Sequence, residues 1–215
     1  KQGFIPAGAG CGGASSMHGH GYSTQFLAQA YGMIRGEELG HKVHDALKRA
    51  ITLIETTQNR FGGWNGSPNA GLSDDGSGAV AIMQITALRA AESGGVPVRA
   101  QVIDKAKKYL IEMTNDQGCY AYNYNMRNSG QGSAATTGAG MYMIGALGLQ
   151  DHPKYSKGIR NLMNSSPFMK SSGGGGQWGQ AGGWGWYYYT CFYASLAIFQ
   201  KGGAEWSQWY PPMAQ

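Results

Sequence analysis

Two neighbouring acids, five histidines and three cysteines are the residues of this chain with a claim to chemistry. Asp74 and Asp75 stand side by side in "LSDDGSG", where a carboxylic acid can serve as a proton donor. The same place in the sequence fits a plainer role, in which Asp75 or Ser77 caps the apolar segment that follows and complements its helix dipole. His18 and His20 form H-x-H, and His41 and His44 follow one segment later. Two such pairs can make a transition-metal site; histidines near a helix start also commonly hydrogen-bond to backbone. Cys11, Cys119 and Cys191 are odd in number and widely spaced, which argues against a disulfide scaffold. One bridge with one free thiol, or three buried thiols, are the two arrangements left. No Ser-His-Asp set and no glycosidase-like carboxylate pair can be read from the sequence.

Aromatic residues concentrate beside glycines. Trp64, Tyr120, Tyr122, Trp178, Trp184, Trp186 and the run Tyr187 to Tyr189 lie in or next to the loops "FGGWNG", "QGCYAYN" and "GQAGGWGW". Such clusters can line a sugar or lipid groove, anchor a protein interface, or simply pack the loops together. The stretch "SSGGGGQWGQAGG" is of low complexity and reads as a flexible loop.

The elements that must position these residues are helices of two kinds. Residues 41–57 place Val43, Ala46, Leu47, Ala50, Ile51 and Ile54 on one face and Lys42, Asp45, Lys48, Arg49 and Glu55 on the other. Residues 98–114 repeat the design, and 152–164 do so more weakly. Residues 77–91 and 133–148 are apolar nearly all round, as is 184–199, with 17–32 as a fourth of this type. A helix without a polar face must be surrounded by protein. The apolar helices begin at intervals of roughly 50 to 60 residues, and a glycine–aromatic loop precedes each of the last three. Self-similar helical hairpins of that size signal a solenoid or a ring of helices.

Composition narrows the class. Charged residues make up only 13% of the chain and its net charge of +5 is spread thinly, so no basic stripe for nucleic acid is present. No run reaches the length of a membrane span. The first residues lack the apolar core of a signal peptide, as would a chain from which one had been removed. Low charge and abundant Asn, Gln, Gly and Tyr favour an extracytoplasmic location.

Gln58, Gly62 and Trp64 match the Q-x-x-x-G-x-W repeat of squalene–hopene cyclases. Together with "HGYSTQFLAQAYGM", "DDGSGAVAIMQITALRAAESGG", "SAATTGAGMYMIGALG" and "YYYTCFYASLAIFQKGGAEWSQWYPPM", they make the chain from His18 onward resemble bacterial prenyltransferase and squalene oxidase repeat proteins. The resemblance implies an α/α toroid, complete with six helical hairpins. Against its chemistries, Asp74 and Asp75 lack the earlier acid of the cyclase D-x-D-D motif. The prenyltransferase zinc site would need an Asp nearer to Cys119 than Asp116, and a His where Tyr189 stands. "GCGGASS" starts like a thioester motif at Cys11-Gly12 and then lacks its Gln.

The sequence therefore predicts an all-α chain, with a glycine-rich segment at 1–16 and one α/α-toroid-like domain at 17–215. About seven helices would form a partial ring, and Pro211-Pro212 would start a further outer helix. A partial ring would expose the apolar flanks of 17–32 and 184–199. The function expected is a non-catalytic binding or structural subunit with a protein partner or self-association, without cofactor or metal. An isoprenoid- or lipid-handling protein acting through Asp74 and Asp75 is one alternative, and a glycan-binding or polysaccharide-active protein is the other. The candidate binding residues are Trp64, Asp74, Asp75, Tyr120, Tyr122, Trp178, Trp184, Trp186 and Tyr189, with none assigned to catalysis.

Overall fold

A computed structural model of the chain describes residues 3–5, 16–69, 76–129, 132–165 and 183–214, without the side chains of 165 and 183–186. Regular structure among these residues is helical: α1 (Ser16–Tyr31), α2 (Glu37–Thr56), α3 (Gly78–Ser93), α4 (Ala100–Met113), α5 (Ala134–Ala146), α6 (Pro153–Ser165), α7 (Gly183–Lys201) and α8 (Gly203–Met213). A 3-10 turn lies at Tyr124–Met126, and Thr114 and Tyr120 form an antiparallel bridge. The all-α reading holds. The chain divides into two compact units, 1–109 and 110–215.

In the first unit, α1 and α3 pack side by side. Gln84 of α3 donates its amide to the Met17 carbonyl at 2.7 Å, near the start of α1. A side chain on Gly21 would come within 2.8 Å of Met83, and one on Gly94 within 3.3 Å of the Ala28 carbonyl. Contacts advance along both helices together, so the pair is parallel, and α2 makes the return journey between them. Helix α3 buries residues on every side, from Ala79 through Leu88 to Ala91. Helix α2 buries Leu47, Ala50, Ile51, Leu53 and Ile54 and keeps its charged face in water. The two helix types predicted from periodicity are both present.

The loop after α2 shows why its residues are what they are. Asn59 is buried, and its side-chain oxygen accepts from the Phe61 and Gly63 amides, each at 3.0 Å. That local turn drives Gly62 into the left-handed region at φ 95°. A Cβ there would overlap the Lys105 carbonyl of α4. Gln58 donates to the carbonyls of Gly62 at 3.0 Å and Val102 at 2.9 Å, which ties the loop to α4. Trp64 is completely buried and donates its indole N–H to the Ile54 carbonyl at 2.7 Å. Ser77, the residue before α3, then bonds through its amide to the Trp64 carbonyl at 2.9 Å. Its side chain makes no cap, and Asp75, the other residue expected to cap this helix, lies outside the described residues.

The second unit repeats this at the same spacing. Asn115 accepts from the Gln117 and Cys119 amides at 3.0 and 2.9 Å, Gly118 takes φ 83°, and Tyr120 replaces Trp64 as the buried aromatic. A Cβ on Gly118 would overlap the Gly158 amide of α6. Ser133 caps α5 with a reciprocal capping box to Thr136, and Thr136 also bonds to the Tyr120 carbonyl at 2.8 Å. Helix α5 is buried all round and packs against α7. Gly138 meets the Ala194 backbone and Gly145 meets Gln200, so this pair is parallel as well. Lys154, at the start of α6, donates to the carbonyls of Ile111 and Thr114 at the end of α4. A cation there matches the negative end of that helix.

One expectation is corrected. Pro211 and Pro212 lie in the last turn of α8 and do not begin a helix; Gly202 and Gly203, both at positive φ, break α7 and start α8 at once. Pro211 is exposed, so the carbonyl it leaves unbonded one turn back can be solvated. Helices α1 and α7 each leave large apolar side chains exposed on one flank.

Candidate functional site

On α1, Met17, Gly21, Thr24 and Ala28 face inward, while Tyr22 and Phe26 stand in solvent, Phe26 with 68% of its surface exposed. Met33 extends the line just past the helix. On α7, Thr190, Tyr193, Ala194, Ala197 and Ile198 are buried, and Tyr188, Phe192 and Phe199 are exposed, Phe192 by 59%. Both stripes follow one spacing, 22-26-29-33 and 188-192-195-199, with Gln29 and Ser195 as the polar interruptions. That spacing is a single helical face.

The α7 stripe is held by other aromatics. Tyr193 touches Tyr189 with ring centres 4.6 Å apart and meets Phe192 edge-on at 5.0 Å. Phe199 meets Trp206 edge-on at 5.1 Å, and Trp206 lies 5.2 Å from Tyr210, itself half-exposed on α8. Trp209 is buried and donates to the Ser195 hydroxyl at 2.8 Å, fixing α8 against α7. Rings locked this way lose little rotamer freedom when covered. Covering one such side chain is worth about 1.5–3 kcal/mol. An exposed ion pair such as Lys42–Glu38 is worth about 0.5 kcal/mol. Apolar recognition is the dominant capacity of these faces.

The sequence-predicted residues fall into three groups. Trp64 and Tyr120 are core residues, so neither forms a binding platform. Tyr122 is exposed, and Tyr189 is half-buried against Tyr193. Asp74, Asp75 and Trp178 lie outside the described residues, as do the side chains of Trp184 and Trp186 in the first turn of α7. Sequence reasoning missed Asn59 and Asn115, although N-x-x-G precedes the buried aromatic in both loops.

His20 has both ring nitrogens engaged by the backbone. Nδ1 accepts from the Ile5 amide at 3.2 Å and Nε2 faces the Ala50 carbonyl at 3.3 Å, so the neutral ring protonated at Nε2 fits. Burial holds its pKa below 6.5, with the Ala50 carbonyl acting in the opposite direction; burial pushes His18, stacked on Tyr22, the same way. The unfolded chain therefore binds more protons below pH 6.5 than the folded one. Stability is expected to be full above pH 6.5 and to fall as the pH drops from there through the folded-state pKa values. Melting curves between neutral and mildly acidic pH check this, and His20→Leu should flatten the slope while costing about 1–3 kcal/mol.

Cys119 and Cys191 are free thiols, and Cys11 lies outside the described residues. The Cys119 sulfur accepts from Asn161 at 3.2 Å, and burial raises the Cys191 pKa, so Cys191 is not an activated thiolate. Among the described residues no three His, Cys, Asp or Glu side chains converge. One open cleft of about 540 Å³ between α6 and α8 carries Arg160, Lys201 and Glu205, a mixed-charge lining. No helix of the described residues is long and apolar enough to cross a membrane. No family model, curated protein or solved structure matches the chain.

Proposed function

We propose that this chain is an α/α-toroid-like binding or structural subunit, related to the prenyltransferase and squalene oxidase repeat proteins it resembles, and that it works by non-catalytic contact with protein. The observation that carries the reading is the pair of exposed aromatic stripes on α1 and α7, the first and last of the apolar helices. Isolated domains seldom leave such faces uncovered. Support also comes from the loops, where Trp64, Tyr120, Gln58 and Asn59 are occupied in holding one helix to the next. A glycan or lipid groove built on Trp64 and Tyr120 would first have to unpack them.

Native mass spectrometry of the untagged protein from its source tests the proposal. A stable complex of protein chains without a small ligand supports it. A monomer that carries an added mass the size of a lipid or an oligosaccharide overturns it.

A further inference from the structure

We infer that residues 3–5 form a pH-sensitive latch, closed over His20 while Nδ1 of its ring is free to accept a hydrogen bond and detached from α1 and α2 once that nitrogen is protonated.

Three successive residues touch the first two helices. Gly3 stands at φ 93° with its backbone on the Arg49 carbonyl of α2, which a Cβ there would overlap. Phe4 stacks on the His20 ring, with centres 5.7 Å apart and planes 23° from parallel. The Ile5 amide donates to His20 Nδ1 at 3.2 Å. His20 is wholly buried, and its Nε2 faces the Ala50 carbonyl at 3.3 Å. One imidazole on α1 thus holds α2 as a donor and the segment as an acceptor. Only the neutral ring can do both.

Protonation removes the acceptor. Nδ1 then points a hydrogen at the Ile5 N–H, and two donors oppose each other in a buried site. The groups around the ring offer no counter-charge. His18 on the same helix and Arg49 on α2 are basic. Met83 and Gln84 of α3, which meet the neighbouring Gly21, are uncharged, and Phe4 and Ile5 are apolar. The face of Phe4 attracts an imidazolium, but that attraction is smaller than the cost of burying its charge. Opening the segment hydrates the ring at small expense, because Gly3, Phe4 and Ile5 are only half-buried and so short a stretch can open without the core. A released ring titrates near 6.5, and burial holds the closed ring below that. The ratio of open to closed segment therefore rises as the pH falls below 6.5, and levels off below the closed-state pKa. With the closed ring neutral throughout, the rise from pH 7.5 to 5.0 is about 30-fold.

Amide hydrogen exchange followed by NMR, corrected for the intrinsic rate at each pH, tests the latch. Protection of the Ile5 amide should fall about 30-fold between pH 7.5 and 5.0. It should also be insensitive to low urea, because local opening exposes little surface, whereas the amide of Leu88 in the α3 core should lose protection as urea is added. Ile5 protection that does not change with pH would overturn the inference. So would an Ile5 amide that responds to urea as strongly as Leu88, since the segment would then open only when the whole unit unfolds. His20→Gln keeps an acceptor and a donor but cannot titrate, so its Ile5 protection should stay level over the same pH range. A drop that persists in this variant would place the switch on another group, such as His18, and overturn the assignment. If His20→Gln does not fold, Ile5→Pro serves: it removes the donor from a residue outside the helices. In Ile5→Pro the His20 ring, followed by its carbon-bound proton shifts, should titrate closer to 6.5 than in the wild type. An unmoved titration would show that the segment does not hold the ring.

Discussion

Gly62→Ala is expected to destabilise the protein by roughly 2–5 kcal/mol, the sum of about 1–2 for placing a side chain in the left-handed region and about 1–3 for overpacking. The backbone at Gly62 has φ 95°, and the new methyl would overlap the Lys105 carbonyl of α4. That carbonyl belongs to a helix and cannot swing aside as a long side chain could. For a chain of this size the melting temperature should fall by about 4–20 °C. Gly118→Ala should behave alike, since it meets the backbone of α6 at φ 83°. Gly95→Ala is the internal control: its φ is 82°, but nothing lies within 4 Å of the added methyl. It should lose only the conformational part, about 1 kcal/mol. If Gly62→Ala and Gly95→Ala melt together, the close approach of loop to helix is wrong.

Trp64→Ala is expected to cost about 3–5 kcal/mol, comparable to a large share of the stability of an ordinary domain. The indole is wholly buried, and its loss would leave both a cavity and an unbonded Ile54 carbonyl. Trp64→Phe separates these effects, because it fills much of the space and forfeits the hydrogen bond; about 1–3 kcal/mol should remain lost. Urea titration followed by circular dichroism reads both. A near-neutral Trp64→Ala would return this tryptophan to the set of binding residues, and tryptophan fluorescence with oligosaccharides would then be the next measurement.

Element type was legible in the sequence because periodicity reports what each helix must bury. The charged stripe of 41–57 and the all-round apolarity of 77–91 and 133–148 correspond to α2, α3 and α5. The path of an aromatic side chain leaving a loop was not legible. Trp64 in "FGGWNG" points inward because Asn59 and Gly62 fold the loop onto α4, a contact between residues far apart in sequence. Periodicity also failed for Phe26 and Phe192, because a helix apolar all round reads the same whether or not a neighbour covers it. The exposed flanks were foreseen only from the count of hairpins. Pro211-Pro212 misled because a proline pair fits a first turn; the glycines at 202 and 203 had already set where α8 begins.

The parallel pairing of next-but-one helices governs how the chain acquires its structure. The strong pairings join α1 to α3 and α5 to α7, each spanning one intervening helix. These contacts are non-local, as between Gln84 and Met17, 67 residues apart, so the entropy of closing each loop must be met before packing rewards it. During synthesis the first unit can assemble its core as soon as residues to Tyr109 have emerged, while the second is still being made.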